Sequence, residues 1–135
     1  MMYDVRSTMY DSPKIIKPFI MTSEEMRNKT KQFAIDIGVL TQSFPESQIN
    51  RVYCNQLIRS SSSVGANYRA SRRAKSNADF INKLKIVEEE LDESLFFLEL
   101  LEVFNIKQKE KISTLHAEGE TLLRIIVASI ISSRK

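Results

Sequence analysis

The sequence predicts an all-α fold, an antiparallel up-and-down four-helix bundle, on three observations. Apolar residues recur at intervals of three and four through four successive segments. Only 3 Gly and 3 Pro punctuate 135 residues, too few turn formers for a sandwich or barrel of many short strands. The periodic segments are joined by short links, and helices so joined favour antiparallel neighbours. The length suits one domain, with residues 1–21 as an N-terminal arm and 22–135 as the bundle. Folding a chain of this size removes about two-thirds of its extended surface, so no staple is needed. The single cysteine, Cys54, cannot form an intramolecular bridge.

The arm carries Tyr3, Tyr10, Pro13, Pro18 and Phe19 among charges, with two of the three prolines and no sustained period. Helix 1 opens on a capping box, Thr22 with Glu25. Met26, Thr30, Phe33, Ile37, Leu40 and Phe44 form its stripe, and it ends before Pro45. Ile35 and Val39 project to the other side and make a second apolar patch.

Helix 2 is expected to begin between Glu46 and Asn50 and to reach Ala74. Tyr53, Leu57, Ser60, Val64, Asn67, Tyr68 and Ser71 share one face, the predicted core face. The run from Ser60 to Ala66 has poor helix propensity, a few tenths of a kcal/mol per Ser and about 1 for Gly65 relative to Ala. Leu57, Val64 and Tyr68 keep the period through it, against a flexible Ser-rich linker. Close approach of a neighbouring helix to these small residues is the expected compensation.

Helix 3, capped by Ser76 or Asn77, carries an unbroken seam of Phe80, Leu84, Val87, Leu91, Ser94, Leu98 and Leu101, with Leu95 beside it. It should span about 25 residues, roughly 38 Å, and stop at Asn105. Helix 4 follows from near Lys107, with Ile112, Leu115, Gly119, Leu122, Ile126 and Ile130 on one side. Its C-terminal half, where Ile125, Ile126, Val127, Ile130 and Ile131 cover about 240° of the wheel, exceeds the roughly 100° stripe that a surface helix needs. The surplus apolar faces of helices 1 and 4 predict self-association in a homo-oligomer of closed symmetry, with Ile35, Val39, Ile125, Val127 and Ile131 at the interface.

Chemistry is sparse. His116 is the only histidine, so a metal cluster or triad that relies on histidine would have to be built around it alone, and its neighbours are ordinary. Cys54 has no candidate base nearby and reads as a small buried or interfacial hydrophobe. Gly38, Gly65 and Gly119 all lie inside helical patterns, so no Gly-rich phosphate loop exists. The acids Glu88, Glu89, Glu90, Asp92 and Glu93 invite a di-iron reading, but such bundles use paired Glu-x-x-His motifs that one histidine cannot supply. One or two of these acids flank the seam and should pair with arginines of a neighbouring helix. No metal, cofactor or enzymatic activity is expected.

The basic residues are more suggestive. Twenty Lys and Arg against 17 Asp and Glu leave a net charge of +3, mildly basic. The charge is segregated: residues 69–85 hold six cations, Arg69, Arg72, Arg73, Lys75, Lys83 and Lys85, and one acid, Asp79. Arg59, Arg69 and Arg73 cluster opposite the core face of helix 2. Two readings stand: a phosphate-contacting patch, or a solvated face whose arginines pair with helix 3 acids. No apolar run approaches the ~18 residues of a membrane span. The N-terminus carries Asp4, Arg6 and Asp11 instead of a signal pattern, so a cytoplasmic location is expected.

The stretch from Gln56 to Ala70, QLIRSSSSVGANYRA, resembles the signature of the bacterial four-helix bundle family encoded by intervening sequences in some large-subunit rRNA genes. That pattern has a Gln-hydrophobic-Arg start, a small-residue run and an Asn. Phe44-Pro45, Asp79-Phe80-Ile81 and the acidic-then-Leu run from Glu89 to Leu100 match in order, so the resemblance covers about residues 27–131. Gln56, Asn67 and Tyr68 are the signature positions. Where some relatives end helix 2 in Asn-Ile-Ala-Glu-Gly, this chain has Asn67-Tyr68-Arg69-Ala70 and lacks the Glu-Gly turn. The resemblance implies a homopentameric ring and kinship with the accessory variability proteins of diversity-generating retroelements, basic bundles that work with a reverse transcriptase and bind nucleic acid. It implies no established activity.

Physically, Asn67 is expected to fix helix 2 against helix 3, and Arg59 and Arg69 to pair with helix 3 carboxylates. Arg72, Arg73, Lys75, Lys83 and Lys85 would remain as the nucleic-acid patch. The function expected is a non-enzymatic oligomer that binds RNA or DNA through this patch, or works with a nucleic-acid-processing protein. The alternative is a protein-interaction scaffold with no nucleic-acid role.

Overall fold

A computed structural model describes residues 21–134. The predicted arm lies outside the described residues except for Met21, which packs against the core. Four α-helices follow in order: α1 (Ser23–Gln42), α2 (Gln48–Ser71), α3 (Asn77–Phe104) and α4 (Lys109–Ser133), with a 3₁₀ turn at Ile106–Gln108 before α4. Each helix packs on its neighbour in sequence and α1 closes on α4, the up-and-down arrangement.

The helix starts obey local chemistry. Thr22 and Glu25 form the capping box in both directions, at 3.0 and 3.1 Å. Ser47 and Ser76 cap α2 and α3 by accepting from the amides of Asn50 and Asp79. The stripes predicted for α1 and α3 are buried: Phe33, Ile37, Leu84, Val87, Leu91, Leu98 and Leu101 have almost no exposed surface. Each fully buried side chain of this kind contributes about 1.5–3 kcal/mol, which outweighs the few tenths lost at each serine of α2.

The serine run packs as its small size suggests. α1 crosses it so closely that a Cβ on Gly65 would touch the Thr30 backbone at 3.6 Å. Ser60 and Ser94 are fully buried and share a 2.8 Å hydrogen bond that joins α2 to α3.

Two expectations need correction. Asn67 does not reach α3: its amide donates to the Ser63 carbonyl and hydroxyl one turn back on its own helix, at 2.9 and 2.8 Å. That local acceptor pair satisfies both amide hydrogens, so none is left for a neighbouring helix. A second correction concerns α4. Ile125 and Val127 are 6% and 5% exposed, because the flanks of its wide apolar arc are already covered within one chain. Ile35, Val39 and Ile131 are exposed as expected.

Further exposed apolar residues lie on the α2–α3 pair. Val52, Phe96, Val103 and Phe104 are each more than half exposed. Tyr53 meets Phe97 and Phe104 in tilted contacts, with ring centroids 6.0 and 6.1 Å away, and Phe96 meets Phe97 edge-on at 5.3 Å. α3 is thus apolar on two sides, which is the pattern of a helix buried twice.

Candidate nucleic-acid interface

The α2–α3 hairpin carries the predicted cations, and the structure sorts them. Arg59 lies halfway along α2, opposite the acidic stretch of α3. Its guanidinium pairs with Glu93 and, at 3.4 Å, with Glu90. The pair is about half solvated at Arg59, so its value is orientation more than stability. Gln56 completes the arrangement by accepting from Arg59 Nε at 3.4 Å. Lys83 is also engaged, 2.9 Å from Asp79 one turn back on α3. The Asp79 carboxyl accepts from the Lys75 backbone amide at 3.0 Å as well, and these two donors hold it below the usual carboxylate range. The one acid between residues 69 and 85 is thereby occupied.

Arg69, Arg72, Arg73, Lys75 and Lys85 remain. All five are exposed, and among the described residues none has a carboxylate within ion-pairing distance. Arg69 therefore does not pair with α3, contrary to expectation: Arg59, nearer the middle of the hairpin, takes both Glu90 and Glu93. The Arg72 guanidinium lies 5.6 Å from the centroid of the Phe80 ring, which holds its side chain against the start of α3. Tyr68, buried one turn earlier, has its phenol pushed up by burial, partly offset by the Arg72 charge.

The last turn of α2 faces the first turn of α1. Between them lies an open cleft of about 450 Å³ lined by Ser23, Glu24, Arg27, Asn28, Arg69, Arg72 and Arg73. Arg27 escaped the sequence reading because it stands alone in a mixed-charge stretch of α1. Its signal is topological: antiparallel pairing sets the start of α1 beside the end of α2.

Other candidate groups are used within the fold. His116 bridges two acids, with Nε2 2.8 Å from Glu99 on α3 and Nδ1 3.5 Å from Glu120 on its own helix. Cys54 is buried, and that burial pushes its thiol up to about 11, away from the thiolate a nucleophile needs. Burial, with Glu88 nearby, raises Asp92. Among the described residues no three His, Cys, Asp or Glu side chains gather to hold a metal ion, and no helix is long and apolar enough to cross a membrane.

Val39, expected at an interface, lines an apolar groove of about 330 Å³ between the end of α1 and the start of α4, with Leu40 and Leu115.

Comparison with known proteins fits this architecture. The profile of the 23S rRNA-intervening sequence proteins matches residues 23–128. A crystal structure at 1.70 Å of a protein of unknown function from the S23 ribosomal protein family of Bacteroides thetaiotaomicron VPI-5482 superposes with a TM-score of 0.75 and 31% identity. The match covers 82% of this chain and 99% of that one. None of the curated proteins matches.

Proposed function

The chain belongs to the 23S rRNA-intervening sequence protein family, and on that premise we propose that it is a non-enzymatic, oligomeric bundle that binds nucleic acid, RNA foremost, at the basic end of its α2–α3 hairpin. One observation carries the reading: five exposed cations, Arg69, Arg72, Arg73, Lys75 and Lys85, have no acidic partner among the described residues, while Arg59 absorbs α3 acids a few turns away. A solvated face whose arginines neutralise α3 would have paired them. Arg forks and Lys point charges suit phosphate oxygens, and such contacts release counterions, which makes binding salt-sensitive.

The exposed Phe96, Val103 and Phe104 support self-association, and the pentameric ring implied by the family resemblance would repeat the basic end around an axis. Repetition raises the effective concentration of a weak patch on one polyanion. A gel shift with structured RNA tests the reading. Binding should weaken as salt rises, and replacing Arg72, Arg73 and Lys75 by Glu should abolish it. Undiminished binding in that variant would remove the site assignment.

The same aromatic surface favours a second reading, a scaffold that recruits a partner polypeptide on α3. A partner retained through nuclease treatment and high salt would support it.

A further inference from the structure

The cleft between α1 and α2 differs in kind from the rest of the basic surface. Arg27, Arg69, Arg72 and Arg73 line one concavity with Glu24 as the only acid, and Lys75 and Lys85 are not part of its lining. None of the four arginines has a carboxylate within ion-pairing distance among the described residues. Phe80 holds Arg72 from behind, which reduces the rotamer freedom that a guanidinium loses on gripping a ligand. Ser23 and Glu24 begin α1, where backbone N–H groups have no intrahelical acceptor. Asn28 adds a neutral amide to the lining.

We propose that this cleft binds the terminal phosphomonoester of a nucleic acid strand. The inference rests on the nucleic-acid reading and narrows it to strand ends. Charge is the argument. An internal phosphodiester carries one negative charge, and successive diesters follow an extended path that a convex stripe can track. A phosphomonoester concentrates about −1.5 to −2 charges and three acceptor oxygens on one phosphorus near neutral pH. Several guanidiniums around one cavity match that density, because each can offer two parallel donors to one phosphate. Arg27 makes the cleft more than the end of the hairpin, since it lines the site from a different helix. Lys75 and Lys85 would meet the diesters that follow the end.

The test is equilibrium binding of the full-length protein to one short single-stranded RNA prepared in three forms: 5′-phosphorylated, 3′-phosphorylated, and with hydroxyls at both ends. At least one phosphorylated form should bind roughly tenfold more tightly than the hydroxyl form, and which one identifies the end that is read. Arg27→Gln, an exposed change with no ion-pair partner among the described residues, should erase that advantage, bringing the favoured phosphorylated form down to the affinity of the hydroxyl form in the same variant. The advantage should also shrink as pH falls through about 6, where the monoester dianion takes up one proton and drops to a single negative charge. Equal affinity for all three forms, or an Arg27→Gln variant that weakens all three alike, overturns the strand-end assignment and leaves nucleic-acid binding standing. Absence of binding to any form overturns both.

Discussion

Asn50 and Asn105 exchange side-chain hydrogen bonds across the open end of the α2–α3 hairpin, opposite its connecting turn, 2.9 Å in one direction and 2.8 Å in the other. Both are buried. Their remaining amide hydrogens go to the Pro45 and Leu101 carbonyls, each at 2.9 Å, so the pair ties the α1–α2 link to the end of α3. All four amide donors are used, the condition under which a buried polar pair specifies one register. Asn105→Ala strands the Asn50 amide and should cost about 1–3 kcal/mol. Urea unfolding of both single variants and the double variant should give a coupling of at least about 0.5 kcal/mol. Additive losses would show that the pair acts as two separate groups.

Glycine substitutions should act in opposite directions at two helical positions. A Cβ at Gly38 would meet nothing within 4 Å, so Gly38→Ala should stabilise by about 0.5–1 kcal/mol through backbone entropy. At Gly119 the added atom would sit 2.8 Å from Leu95 Cδ2 and 3.3 Å from the Phe33 ring. Overpacking of about 1–3 kcal/mol should exceed the propensity gain, and the thermal midpoint of Gly119→Ala should fall. A rise would mean that Leu95 yields without cost.

Alkaline pH should expose the burial of Cys54. Its thiol ordinarily ionises near 9.0 and in the fold near 11. Above pH 9 the unfolded chain releases a proton that the folded chain keeps, so stability falls with rising pH between those values. The loss attributable to this thiol is on the order of 2–3 kcal/mol when complete. Unfolding free energies measured from pH 8 to 11 should fall more steeply for the natural chain than for Cys54→Ala. Parallel curves would contradict the burial of the thiol.

The helices and their core faces were legible because long 3.6-residue periods and Thr22, Ser76 and Asn105 mark them without tertiary information. The pairing of Arg59 with α3 acids was legible too, since antiparallel α2 and α3 bring the middle of one to the middle of the other. The Asn50–Asn105 lock was not: two isolated amides 55 residues apart carry no periodic signal. Nor was Arg27, which joins the arginine cleft only through the register of α1 on α2. The apolar back of α3 was present in the sequence as Phe96, Val103 and Phe104, but these span little more than one heptad beside the longer seam of Leu84, Leu91 and Leu98.

Self-association should depend on that back face. Light scattering should report a closed oligomer for the natural chain, and Phe96→Asp with Phe104→Asp should yield a folded, smaller species, since both rings are more than half exposed in the single chain. Charged substitutions at Ile35 and Val39 distinguish the alternative, in which the α1 groove forms the contact. A natural chain that runs as a monomer would contradict the assembly.

On the function proposed above, free cations, and not paired ones, make the interface. RNA affinity measured against salt for two double variants of equal charge change tests this most directly. Arg59→Gln with Lys83→Gln removes cations already held by Glu93, Glu90 and Asp79 and should leave affinity and salt slope nearly unchanged. Arg69→Gln with Arg73→Gln removes unpaired cations at the cleft and should weaken binding and flatten the slope by about two phosphate contacts. Equal losses in the two variants would contradict the account, since they would make net charge, and not its placement, the source of binding.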